Sequence, residues 1–453
     1  MTTMRLAAAV AILLSAPGFA QESPRLLKHR VWLLGPVPPE SALASLRAGG
    51  VDGVVVPVGK VELGESSSTF TLARLPDPSG LSGWQVTPLV WVDGPVAGSG
   101  DPAGFAAQLA PVQQGLRGSV GLLLACRSFS AGVVRFASGV AARLGRPVEL
   151  ALAAQELAQN IPPGGWPSVR PVAVSLGNAS ALGFPRSTLQ DDLAALDVLD
   201  SARVPYRAAI VVAPRAEPPP GPAGASLRSL SNFETATFNP GERGNVFRLR
   251  KPVDWGGVTL SAGQSITVEI VDTAMYHRDL GMLLRPVRPQ LEGWDTVGVP
   301  EPEPALGMSR EAFLEYLAGE MPCPRPQADI EWPHPAAVRV TFANPTAQAS
   351  ALATTGNWVE LRFSGTELRD VALGDFSGVE YGKIGSDGGW HLTAAREATA
   401  VRLYLMLVAP RTRVGGTVTF LTHPREMSTR WRMRLGDGTD VTESVRSVIV
   451  SSR

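Results

Sequence analysis

The sequence is poor in the residues that usually announce a cofactor or a covalent framework. Its 453 residues include two cysteines, Cys126 and Cys323, and five histidines, and 41 Lys plus Arg offset 41 Asp plus Glu. Two cysteines are too few for a disulfide framework, and they form no CxxC pair for zinc. The histidines, His29, His277, His334, His391 and His423, are scattered, with no HExxH and no close His/Asp set. No metal or cofactor is therefore expected. Zero net charge removes any general attraction to nucleic acid or to an anionic membrane surface. There is no GK[ST] phosphate loop, no GxSxG elbow and no glycine-rich turn at the first βα junction. After the N-terminus no apolar run is long enough to span a bilayer, so the mature chain is expected to have no transmembrane segment.

What is present is a rhythm of short apolar strands. Hydrophobic residues make up 44% of the chain, enough for a large core, and 39 prolines with 47 glycines favour many short elements over long helices. The first residues, MTTMRLAAAVAILLSAPGFAQES, place Arg5 before an apolar run from Leu6 to Leu14 and small residues at Gly18 and Ala20. That pattern predicts a signal peptide over residues 1–20, cleaved after Ala20, and hence a periplasmic or secreted protein. Export permits a Cys126–Cys323 disulfide. An apolar strand equally suits Cys126 as a buried free thiol.

Strands are expected at 30–35, 53–58, 86–92, 118–126, 148–154, 171–176, 206–213 and 293–299. Near-continuous apolar runs of this kind suit a parallel sheet covered on both faces. Helical periodicity separates most of them. Residues 130–145 place Val133, Phe136, Val140 and Leu144 on one face and stop at a glycine; 187–202 carries a leucine stripe behind an expected Ser187 N-cap. Residues 60–77 alternate like a hairpin. Eight βα steps predict an α/β fold, a TIM-like (β/α)8 barrel over residues 21–321, with a β-rich insertion at about 214–272. After the proline-rich PCPRPQ at 322–327, alternating strands such as AVRVTFAN (337–344) and WVELRF (358–363) predict a C-terminal β-sandwich over 328–453.

Two stretches, GWDTVGVPEPEPALGMSREAFLEYLAG (293–319) and FANPTAQASALATTGNWVELRFSG (342–365), resemble an exported bacterial family of unknown function whose members are glycosidase-like barrels with a β-rich C-terminal region. The resemblance runs from Arg30 to about Leu421 and implies a glycan-related barrel. In that family an acidic residue follows the fourth strand. Here the position reads Ala125, Cys126, Arg127, Ser128.

Glycoside hydrolysis generally needs two carboxylates, about 5–5.5 Å apart for retention and roughly 6.5–9.5 Å for inversion. In a barrel these sit at the C-terminal strand ends. The carboxylates there are Asp93, Glu156, and Glu301 or Glu303, with Glu62 and Glu65 after the second strand. Trp91 and Asp93 share one side of a strand, an aromatic beside an acid, as a sugar site would use; Asp before Gly94 is also ordinary turn chemistry. Glu156 suits a helix first turn as well as a cleft. Asn178 can hydrogen-bond a hydroxyl or cap a turn. Arg127 offers five donors for a carboxylate, either an internal one or that of an acidic sugar. The ligand-binding candidates are thus Trp91, Asp93, Arg127, Glu156 and Asn178. The missing acid favours a non-catalytic protein that binds a polysaccharide or cell-envelope glycan. The alternative is a glycoside hydrolase whose carboxylates have moved away from the end of strand four.

Overall fold

The computed structural model describes residues 27–73, 78–93, 100–116, 119–162, 165–166, 168–177, 179–217, 219, 233–237, 244–249, 251–255, 257–301, 307–320, 324–353, 355–443 and 446–449. The expected signal peptide and Cys323 lie outside these residues. The chain divides into two compact units, one formed by 1–213, 276–302 and 313–321, the other by 214–275, 303–312 and 322–453.

In the first unit eight strands run parallel: β1 (Lys28–Trp32), β2 (Gly53–Leu63), β3 (Gln85–Asp93), β4 (Leu123–Cys126), β5 (Val148–Ala153), β6 (Val169–Gly177), β7 (Tyr206–Val211) and β8 (Leu291–Val297). Each pairs with the next in sequence, and β8 pairs with β1, so the sheet closes into a barrel. Helices α1 (Glu40–Ala48), α2 (Pro102–Gly115), α3 (Ala131–Leu144), α4 (Ala154–Gln159), α5 (Leu189–Ser201), α6 (Thr273–Leu284) and α7 (Arg310–Leu317) follow β1, β3, β4, β5, β6, β7 and β8. This is the (β/α)8 architecture the sequence rhythm predicts. After β2 the chain returns as Ser68–Leu72, antiparallel to Gly59–Leu63, the expected hairpin.

Local signals explain most helix ends. Ser130 caps α3 by accepting from the Val133 amide at 3.1 Å, and Gly145, in the left-handed region at φ 65°, ends it. For α5 the expected cap is one residue early. Thr188, not Ser187, accepts from the Asp191 amide at 3.1 Å, and the Asp191 side chain accepts from the Thr188 amide, a capping box that Ser187 cannot form.

Strand alternation fills the barrel in layers. Trp32, Val55, Leu89, Leu123, Ala125, Ala151, Val172, Val174, Ala209, Val211 and Val297 form one buried interior cluster. Two residues earlier on several of these strands, the same inward register brings four charged residues, Arg30, Glu149, Arg207 and Asp295, and the hydroxyl of Thr87 to the N-terminal end. Arg30 donates to Asp295 at 3.0 and 2.8 Å and to Glu149 at 2.7 Å. Arg207 donates to Asp295 at 2.9 Å, as does the Trp32 indole. Burial alone would raise the Asp295 carboxyl, but the Arg207 and Arg30 charges and the hydrogen bonds from Arg30 and Trp32 hold it well below the usual carboxylate range. Gly293 makes room for this network, since a Cβ there would sit 2.6 Å from the Arg207 Nη1. On the outer side of β1, His29 stacks on Trp294 at 4.7 Å and meets Thr296 Oγ1 at 2.9 Å. Burial lowers its pKa to about 3, with Asp295 opposing and Arg207 adding to the shift, so the ring is neutral.

The second unit is built from antiparallel sheets. One holds Gln327–His334, Ala337–Asn344, Thr412–Phe420 and Leu368–Ala372; the other is built around Asn357–Ser364, with Ala400–Leu405 and Glu426–Arg434 on its two sides. Val338, Val340 and Phe342 from the first sheet and Val359, Leu361 and Phe363 from the second belong to one core, making a β-sandwich. The β-rich insertion has its own core around Phe247, Trp255, Ile266 and Val268, and this core also takes in Leu352 and Met406 of the C-terminal region. The insertion leaves the chain between β7 and β8 yet packs as part of the second unit.

Candidate functional site

Continuing the inward register to the C-terminal end of the barrel brings Leu34, Pro57, Trp91 and Arg127 to the mouth. With Ala181, Leu182 and Gly183 from the segment after β6, they line a cavity of about 430 Å³. The register explains Arg127: Leu123 and Ala125 point inward on β4, so Arg127 does too, at the first position beyond the strand. Trp91 reaches the mouth in the same way after Leu89, and its ring rests against buried Phe184 with centroids 6.4 Å apart.

Three of the five candidate residues meet here. The Arg127 guanidinium carbon lies 5.9 Å from the Trp91 ring centroid, at the outer edge of a cation–π contact. Its Nη1 is 3.9 Å from Asp93 Oδ1, an ion pair too long for a hydrogen bond, with the two side chains 59% and 41% exposed. Its Nε donates to the Leu182 carbonyl at 3.3 Å. Gly183 is in the left-handed region at φ 83°, and a Cβ there would lie 2.9 Å from Arg127 Nε.

Glu156 stands apart from the cavity lining. It occupies the first turn of α4, and its Oε1 accepts from the Phe129 amide at 3.1 Å. Its Oε2 is buried with no hydrogen-bond partner among the described residues. Burial pushes the carboxyl up and the Phe129 amide pulls it partly back. Cys126 is a free, buried thiol whose pKa is raised by burial and then by the Glu156 and Asp93 charges, which keeps it protonated and unreactive. Asn178 and Glu303 lie outside the described residues. Glu62 pairs with Lys60 at 2.7 Å on the exposed extension of β2, and Glu65 and Glu301 are exposed. Among the described residues no group of His, Cys, Asp or Glu side chains is arranged to hold a metal ion, and no helix is long and apolar enough to cross a membrane.

Leu34, Pro57, Leu182 and Gly183 were not singled out by sequence reasoning. Leu34 and Pro57 were legible in principle, as the next inward positions of β1 and β2. Leu182 and Gly183 come from a loop whose path has no periodicity to read.

Fold and mouth together define a (β/α)8 barrel with a shallow, arginine-bearing cleft and an attached β-rich unit. No protein-family model matches the chain, and no curated protein matches it. Among solved structures the chain is similar to the Bacillus megaterium QM B1551 spore cortex-lytic enzyme SleL, with a TM-score of 0.35 and 11% identity over 65% of this chain and 77% of that one. The barrel itself rests on the strand pairings given above.

Proposed function

We propose that this is a non-catalytic glycan-binding protein that uses the mouth of the barrel as its binding cleft and works outside the cytoplasm. One observation carries the reading. The end of β4 presents Arg127, and the described residues lining the cleft include no carboxylate. An aromatic ring backed by a second one, beside a guanidinium, suits the apolar face and polar rim of a sugar ring better than it suits acid–base cleavage. The N-terminal pattern of Arg5, an apolar run and small residues before Gln21 supports export.

A glycan panel tests both parts of the claim. Purified protein should retain glycans and release no new reducing ends. Cleavage that disappears in Asp93→Asn or Glu156→Gln, with folding intact, would overturn the non-catalytic reading. N-terminal sequencing of protein recovered outside the cytoplasm should begin at Gln21.

One observation favours the hydrolase as second reading: the buried, unpartnered Oε2 of Glu156. Burial raises the pKa of this carboxyl, the direction in which a general acid is tuned. On that second reading, Glu156→Gln abolishes turnover while leaving glycan retention in place.

A further inference from the structure

We infer that the mouth selects carboxylate-bearing sugars, with Arg127 as the carboxylate receptor, Asp93 as the built-in competitor for it, and Gly183 as the residue that positions it. This rests on the glycan-binding reading and names the substrate class of that same cleft.

Arg127 is held from one side. Its Nε donates to the Leu182 carbonyl, and its side chain lies so close to Gly183 that an added Cβ would come within 2.9 Å of Nε and 3.0 Å of Cδ. The Nε edge of the guanidinium is thus held by one hydrogen bond against the Leu182–Gly183 backbone. Its far end is not: Nη1 and Nη2 make no hydrogen bond to any described residue, and the nearest carboxylate, that of Asp93, stands off at 3.9 Å. A guanidinium anchored through Nε still presents two parallel N–H groups, the geometry that matches a carboxylate bidentately. The Trp91 ring lies 5.9 Å from the guanidinium carbon in the same cleft, giving a pyranose ring a surface to stack on while its exocyclic carboxylate meets the fork.

Asp93 then has a defined effect. Its charge offsets that of Arg127 across 3.9 Å. When an acidic sugar binds, the ligand carboxylate comes close to Asp93, and like charges repel. A neutral sugar meets no such penalty. Removing the Asp93 charge therefore improves binding of acidic sugars and leaves neutral ones unchanged, a sign that a merely structural Asp93 would not give.

The test uses the full-length mature protein with a panel of uronate oligosaccharides, oligogalacturonate and oligomannuronate among them. Each is paired with its methyl ester, which keeps the ring and removes the charge. Binding is read by calorimetry at two salt concentrations. The wild type should bind the free acids more tightly than the esters, and the difference should shrink in high salt. Arg127→Ala should reduce acid affinity about tenfold or more and remove the acid-over-ester preference; Arg127→Lys should restore part of the affinity through charge alone. Asp93→Asn should raise acid affinity several-fold with ester affinity unchanged. Gly183→Ala should lose the preference as Arg127→Ala does, and circular dichroism checks that it folds; if it does not, the Asp93→Asn sign and the Arg127→Lys rescue carry the test. Equal binding of acids and esters by the wild type, or a preference that survives Arg127→Ala, overturns this inference while leaving glycan binding standing. Failure to bind any member of the panel, together with failure to bind neutral polysaccharides, overturns both.

Discussion

The barrel holds arginines at both ends, and they are used in opposite ways. At the N-terminal end, Arg30 and Arg207 converge on Asp295, whose side chain is 0% exposed. Here a carboxylate, two guanidiniums and an indole N–H meet at hydrogen-bonding distance. At the C-terminal end, Arg127 faces Asp93 across 3.9 Å with more than half its side chain in solvent. Buried charge is tolerated only with full pairing, because desolvation costs several kcal/mol per ion. Exposed charge can remain loosely paired and available to a ligand. The same inward register thus yields a closed ionic floor and an open mouth that carries an exposed arginine.

The largest effect is expected at the floor. Asp295→Ala leaves buried Arg207 without its carboxylate and Arg30 with Glu149 alone, and should cost about 3–5 kcal/mol, read from the urea midpoint. Next comes pH. His29 is held neutral in the folded state, its pKa lowered to about 3, while the unfolded chain titrates near 6.5. The unfolded state therefore gains a proton that the folded state refuses. The contribution is complete above pH 6.5 and is lost as pH falls from there toward 3, at about 1.4 kcal/mol per unit from this group. Asp295, also depressed, adds a second loss at pH values below the ordinary carboxylate range. His29→Gln should flatten the melting-temperature decline between pH 6.5 and 4 and leave the steeper fall below it. Smallest is the mouth: Arg127→Ala should shift stability by no more than about 0.5 kcal/mol, because its ion pair is long and solvent-screened. A large drop there would mean that the mouth arginine is structural after all.

Much of this was legible in the chain. All eight barrel strands could be placed because buried parallel strands read as apolar runs, and period-two alternation put Trp91 and Asp93 on one side of β3. The ionic floor was not legible. Arg30 opens an expected strand and Asp295 sits within another, but neither reveals its partner 265 positions away. The signal available was the oddity of charge inside an apolar strand at an inward position. Gly183 was hidden for another reason: a loop glycine looks like any turn residue until the side chain lying against it is known.

The closure of β8 onto β1 bears on how the chain must fold. Strands β1 to β7 pair with their neighbours in chain order, and the ring can close only once residues 291–297 are present, after the whole insertion that packs with the other unit. Until then β1 and β7 are unpaired edges, the kind of surface on which chains add to one another. Joining ends so distant in sequence is entropically slow. Chains cut short before residue 291 should therefore aggregate even though seven-eighths of the barrel's strands are present, and refolding of the full chain should be limited by that final seam.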